Sequence, residues 1–175
     1  MLDAAQALFY AEGIHAVGID RIIAEAGAAK ATFYHHFPSK DDLVCAYLEE
    51  QSGRIQRATA IRGASHHEKI IAVFEDLGEV VCGPGFRGCP FINAAAEYPD
   101  PRHPVRRVVS AHRRWFRDLL RDLLTTAGHP DAERTAAMLV LLRDGLVIGG
   151  DLDDPAETRE LLHAAVTRIL EQPAR

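Results

Sequence analysis

The stretch Ile19-Asp-Arg-Ile-Ile-Ala-Glu-Ala-Gly-Ala-Ala-Lys-Ala-Thr-Phe-Tyr-His-His-Phe37 decides the fold. Ile19, Ile22, Ile23 and Ala26 recur at helical spacing, and Gly27 offers the left-handed backbone that ends a helix. A second helical run follows at once, from about Ala29 to His35, and Pro38-Ser39 breaks it. Two short helices joined by a tight turn make a helix-turn-helix, whose second helix is free to enter a major groove. Ile22, Ile23 and Ala26 are expected to bury the first helix, and Phe33 and Phe37 to anchor the second. Lys30, Thr32, Tyr34, His35 and His36 are left as an outward cluster of donors, the kind that reaches phosphate oxygens and base edges.

Helical spacing continues on both sides of this segment. Leu2, Ala5, Leu8 and Phe9 form a stripe that ends at Gly13, and Ser39 is an N-cap for a long fourth helix through Leu43, Tyr47, Leu48 and Ile55. Ile70, Phe74, Leu77 and Val81 define a fifth helix, closed by Gly83-Pro84-Gly85; a short sixth runs from about Pro90 to Glu97. The seventh, from about Pro104 to Ala127, sets Val108, His112, Trp115, Leu119 and Leu123 on one face and Arg106, Arg113, Arg117 and Arg121 on another. The eighth, about Asp131 to Ile148, is apolar on most sides, and the ninth runs from Pro155 to about Glu171. No period-two alternation, hairpin turn or internal repeat interrupts this pattern. The expected fold is all-α with about nine helices: an N-terminal three-helix helix-turn-helix domain at 1–48 and a helical bundle at 49–175.

Composition limits the alternatives. A chain of 175 residues with 47% hydrophobic content can bury a real core. Cys45, Cys82 and Cys89 stand in no CxxC spacing, which argues against a disulfide scaffold or a zinc ribbon and fits a reducing, cytoplasmic setting. No apolar run approaches a membrane span. The 20 Lys+Arg against 25 Asp+Glu give a net charge of −5, so bulk charge points to no nucleic-acid partner. Neither a metal nor a cofactor is expected: Gly83, Gly85 and Gly88 lack the strand and the Gly-Lys-Ser/Thr of a phosphate loop, and His66-His67-Glu68 is a helix start rather than a zinc motif.

Ala4-Ala-Gln-Ala-Leu-Phe-Tyr-Ala-Glu-Gly13, with Ile22, Ala26-Gly27, Lys30, Thr32-Phe-Tyr-His-His-Phe37 and Ser39-Lys40, resembles the DNA-binding domain of the TetR (AcrR-like) regulators over about the first 48 residues. The resemblance implies a homodimeric, ligand-responsive transcriptional regulator, most often a repressor, that binds a double-stranded operator and a small-molecule effector. It adds Lys40 to Lys30, Thr32, Tyr34, His35 and His36 as DNA contacts. Residues 1–50 nevertheless hold 3 basic against 8 acidic side chains, unusual for a DNA reader. The sequence opens Met1-Leu2-Asp3 where the family commonly has a basic arm, so either such an arm lies outside it or minor-groove contact is weak. Val17-Gly18 and Ala29 stand where the family frequently has capping or phosphate-binding hydroxyls.

For the remaining helices the resemblance implies an effector site inside the bundle. Its expected lining is Phe74, Leu77 and Val81 of the fifth helix, Phe91 and Asn93 of the sixth, His112, Trp115 and Phe116 of the seventh, and Leu142 of the eighth. Such a lining suits a largely apolar ligand. Against this, a histidine on an apolar face is more often a packed core residue, and Trp115 can simply fill the core. Leu139, Leu146, Leu162, Val166 and Ile169 are the expected dimer contacts. The competing readings are a helical adaptor without DNA binding, or a small helical enzyme using Cys89 or His112. No nucleophile–base motif supports the enzyme.

Overall fold

The computed structural model describes residues 1–59 and 61–171, which form nine α-helices and no strand. They are α1 (Leu2–Glu12), α2 (Ile19–Glu25), α3 (Lys30–His36), α4 (Lys40–Ala58), α5 (His66–Val81), α6 (Pro90–Glu97), α7 (Pro104–Thr126), α8 (Ala132–Leu152) and α9 (Pro155–Leu170). Local chemistry sets most of the ends. The Ser39 hydroxyl accepts from the Asp42 N–H at 3.2 Å and the Asp42 carboxylate accepts from the Ser39 N–H at 3.0 Å, closing the start of α4. Ser65 and Glu68 form the same reciprocal cap on α5. Bonds from the Ala64 and Ser65 amides hold the Glu68 carboxyl below its usual pKa. Asp131 and Asp154 cap α8 and α9. Gly13, Gly27 and Gly128 take positive φ where α1, α2 and α7 end.

The chain divides into two compact units, 1–56 with 89–112 and 57–88 with 113–175. The motif-based division at residue 48 differs from this one, because α6 and the first part of α7 pack with the head. In the first unit, Phe9, Val17, Ile22, Phe33, Leu43, Val44, Tyr47 and Leu48 are buried. Phe9 meets Tyr47 with ring centroids 5.7 Å apart, and burial pushes the Tyr47 phenol up to about 12.

In the second unit α5 packs against α8 and α9. The approach is closest at Gly150, where an added Cβ would stand 2.1 Å from Val81 Cγ1 and 2.9 Å from its carbonyl oxygen. This explains why α8 runs on through Gly149-Gly150 to Leu152 rather than stopping near Ile148: the glycines are packing surface, not a break. At Gly78 of α5 the corresponding contact is with Leu162 of α9. Arg113 forms a two-point ion pair with Asp144, joining α7 to α8. Burial pushes the Asp144 carboxyl up, but the bonds from Arg113 and Arg143 outweigh it and leave the group below its usual pKa. The deepest residues in the later turns of α7 are Leu120 and Leu124, one position on from the expected Leu119 and Leu123.

The apolar residues of α8 and α9 sort differently from the sequence expectation. Leu139, Leu146, Leu162 and Val166 are buried within the protomer, and Ile169 is half-buried. The first four are core side chains of the second unit. The outward apolar surface consists instead of Leu141, Ile148 and Leu152 on α8 and Leu161 on α9, which are 69%, 50%, 75% and 60% exposed.

Candidate nucleic-acid interface

α3 is anchored by one side chain. Phe33 is fully buried, with Phe37 at a ring-centroid distance of 5.9 Å and Tyr34 edge-on at 5.2 Å. Burial of Phe33 fixes the rotation of a seven-residue helix that could not persist in water alone. Lys30, Thr32, Tyr34, His35 and His36 all emerge on the exposed part of α3 as a result. The rings of His35 and His36 lie edge to face at 5.2 Å. Lys40, at the start of α4, is half-buried, and burial pulls its ammonium below the usual lysine pKa against the opposing fields of Glu97 and Asp41.

The acidic balance of the head has a local structure that sequence spacing does not show. Lys30 Nζ donates to Asp20 Oδ1 at 2.9 Å, so α2 and α3 are linked across the turn. That bond raises the Lys30 pKa. Arg21 forms a two-point pair with Glu12, linking α2 to α1. Two of the head's three Lys and Arg side chains are therefore already engaged by carboxylates. Such exposed pairs add little to stability, but they hold cations at fixed places on a surface whose total charge is negative. Asp20 gave no sequence signal, because a residue ten positions from its partner matches no helical period.

The residues expected to hold an effector fall in both compact units. Phe91, Asn93 and His112 belong to the first, and Phe74, Leu77, Val81, Trp115, Phe116 and Leu142 to the second. His112 is buried, stacked on Phe91 with ring centroids 3.7 Å apart and planes 4° from parallel. Its Nδ1 lies 2.9 Å from the Ser52 hydroxyl. That is the geometry of a packed, hydrogen-bonded histidine. Asn93 is exposed and Phe91 buried. In the second unit Phe116 lies between Phe74 and Trp115, at centroid distances of 6.2 and 6.1 Å. Trp115, Phe116, Leu77 and Leu142 are each half-buried.

Cys89 is buried, and burial raises the Cys45 thiol pKa, which disfavours the reactive thiolate. Among the described residues no group of three His, Cys, Asp or Glu side chains is placed to hold a metal, and no helix is long and apolar enough to cross a membrane.

Residues 1–47 match the family model described as bacterial regulatory proteins, tetR family, and residues 95–172 match the tetracyclin repressor-like C-terminal domain. A crystal structure of a TetR-family transcriptional regulator from Streptomyces coelicolor is 45% identical, with 97% of this chain and 91% of that one superposing at a TM-score of 0.90. Among curated relatives, the HTH-type transcriptional regulator LmrA of Bacillus subtilis is 30% identical over 66% of this chain and 64% of its own length. The HTH-type transcriptional regulator YjdC of Escherichia coli is 32% identical over 45% of this chain and 41% of its own. The chain thus spans less than two thirds of these two curated relatives.

Proposed function

The chain belongs to the TetR family of transcriptional regulators, and we propose that it binds a double-stranded DNA operator in the cytoplasm as a homodimer and leaves it when a small, largely apolar effector binds. The observation that carries this reading is α3: one buried phenylalanine below, and five donor-bearing side chains presented together above. Lys40, Tyr34 and His36 contact phosphates in this reading, and Lys30, Thr32 and His35 lie nearest the base edges.

A second copy of the chain is the occupant proposed for the outward face of α8 and α9. Leu141, Gly145, Ile148 and Leu152 follow one another at four-, three- and four-residue steps, so they line one stripe of α8. An added Cβ at Gly145 meets nothing within 4 Å, which leaves room for a facing helix. Leu161 extends the apolar surface onto α9. Exposed leucines in this number on adjoining helices are what an isologous interface buries. The effector is assigned to the second unit beside the aromatic cluster of Phe74, Phe116 and Trp115, whose apolar rings suit an uncharged or weakly polar molecule. Its action is a population shift between head placements, one favoured by the effector and the other by DNA.

The test is a mobility shift with the DNA flanking the chain's own reading frame, titrated with salt. Binding that weakens steeply as salt rises is expected. No shift even at low salt would sink the reading in favour of a helical adaptor.

A further inference from the structure

The head is held by a carboxylate that lies 83 residues away in sequence. Glu97, the last residue of α6, accepts from the Ile14 N–H at 2.8 Å and from the His15 N–H at 2.5 Å, one to each carboxylate oxygen. Ile14 and His15 form the turn between α1 and α2. Glu97 Oε1 also lies 3.4 Å from where a Cβ on Gly13 would stand, and Gly13 itself takes a φ of +93°. His15 Nδ1 is 3.6 Å from Glu97 Oε2. Next to Glu97, the Tyr98 hydroxyl donates to Asp41 Oδ1 at 2.9 Å, reaching the first turn of α4. His103 Nε2 is 3.3 Å from the other oxygen of Asp41. The Tyr98 ring sits between the two imidazoles, 5.0 Å from His15 and 4.6 Å from His103. Arg106 donates to the carbonyl oxygens of Ala95 and Tyr98, which fixes the end of α6 to α7. All of these residues belong to one compact unit.

The placement of Glu97 runs against local preference. A carboxylate in the last turn of a helix faces the negative end of the helix dipole, and no basic residue shares that turn. Two charge-assisted bonds to otherwise unpaired turn amides offset that cost and supply a directional hold on α1 and α2. Tyr98 and Asp41 supply a second point on α4. Two points fix an orientation where one would leave a pivot.

We infer that Glu97, seconded by Tyr98, is a positioning residue for operator binding: it fixes the orientation of the reading head so that two heads of a dimer meet two half-sites together. The inference rests on the operator-binding reading above. A head free to swivel would bind a single half-site as well as before but would lose order on engaging both.

Charge alone predicts the opposite result. Glu97 lies within the field of Lys40, so removing a negative charge from the head would tighten binding to any DNA.

The experiment compares the wild-type protein with Glu97→Ala, Glu97→Gln and Tyr98→Phe on a full operator and on a half-site duplex. Circular dichroism serves as the folding control, and amide exchange at Ile14 and His15 as the direct readout. Wild-type binding to the full operator is the control for the reading on which the inference rests, and its absence would overturn both. Glu97→Ala should speed exchange at both amides, leave half-site affinity unchanged and lower full-operator affinity by roughly tenfold. Glu97→Gln keeps one acceptor oxygen and should recover part of the loss, and Tyr98→Phe should lower only full-operator affinity. Equal losses on both duplexes, unchanged or tightened full-operator binding, or unaltered exchange would each overturn the inference.

Discussion

Lys40 shows how a single cation can matter in a head that is acidic overall. Of the three Lys and Arg side chains in the first fifty residues, Lys30 is paired with Asp20 and Arg21 with Glu12, and Lys40 is half-buried at the start of α4. Its pKa is lowered by burial, so if Lys40 contacts phosphate as proposed, part of the desolvation cost is already met by the fold. Replacing it with alanine should weaken binding to all DNA sequences alike and flatten the salt dependence by about one unit, because one counterion fewer is released. Equilibrium titrations at several salt concentrations measure both. An unchanged slope would mean that Lys40 does not reach phosphate. The motif made Lys40 visible in the sequence. Asp20 was invisible there, since its partner is reached only by folding α2 back against α3.

Elements were legible in proportion to how local their causes are. The starts of α4 and α5 and the ends of α1, α2 and α7 follow from a serine with an acid three residues on, or from a glycine past the last turn. The end of α8 was not, because Gly149-Gly150 reads as a break until α5 is placed beside it. Gly150→Ala tests this account. Helix propensity alone would gain about 1 kcal/mol. The new methyl would meet Val81 Cγ1 and, at 2.9 Å, a backbone carbonyl that cannot swing aside. Overpacking of this kind costs roughly 1–3 kcal/mol, so the variant should melt at a lower temperature than wild type in calorimetry. A higher melting temperature would show that α5 and α8 are not in this contact.

At the scale of the whole molecule, the proposed function calls for two copies of the chain. Leu161→Asp or Ile148→Asp places a charge on the outward face without disturbing the core, because each side chain is at least half exposed. Both variants should keep their helical content, run as monomers in light scattering and lose affinity for a two-site operator. A persistent dimer would place the interface elsewhere. Leu146 and Val166, which the sequence offers as equivalent candidates, are unsuitable probes: they are buried, and a charge there would unfold the protomer.

The sequence by itself determined the all-α class, the presence of the nine helices and the helix-turn-helix, because these depend on residues within a few positions of one another. It also marked the outward side chains of α3, since one buried phenylalanine fixes that face. Only the tertiary structure decided which apolar residues of α8 and α9 are core and which are surface, because a helix apolar on most sides carries no phase until its neighbours are placed. The same holds for the Glu97 clasp. Its two amides and its carboxylate are more than eighty positions apart, and no period in the sequence could bring them together.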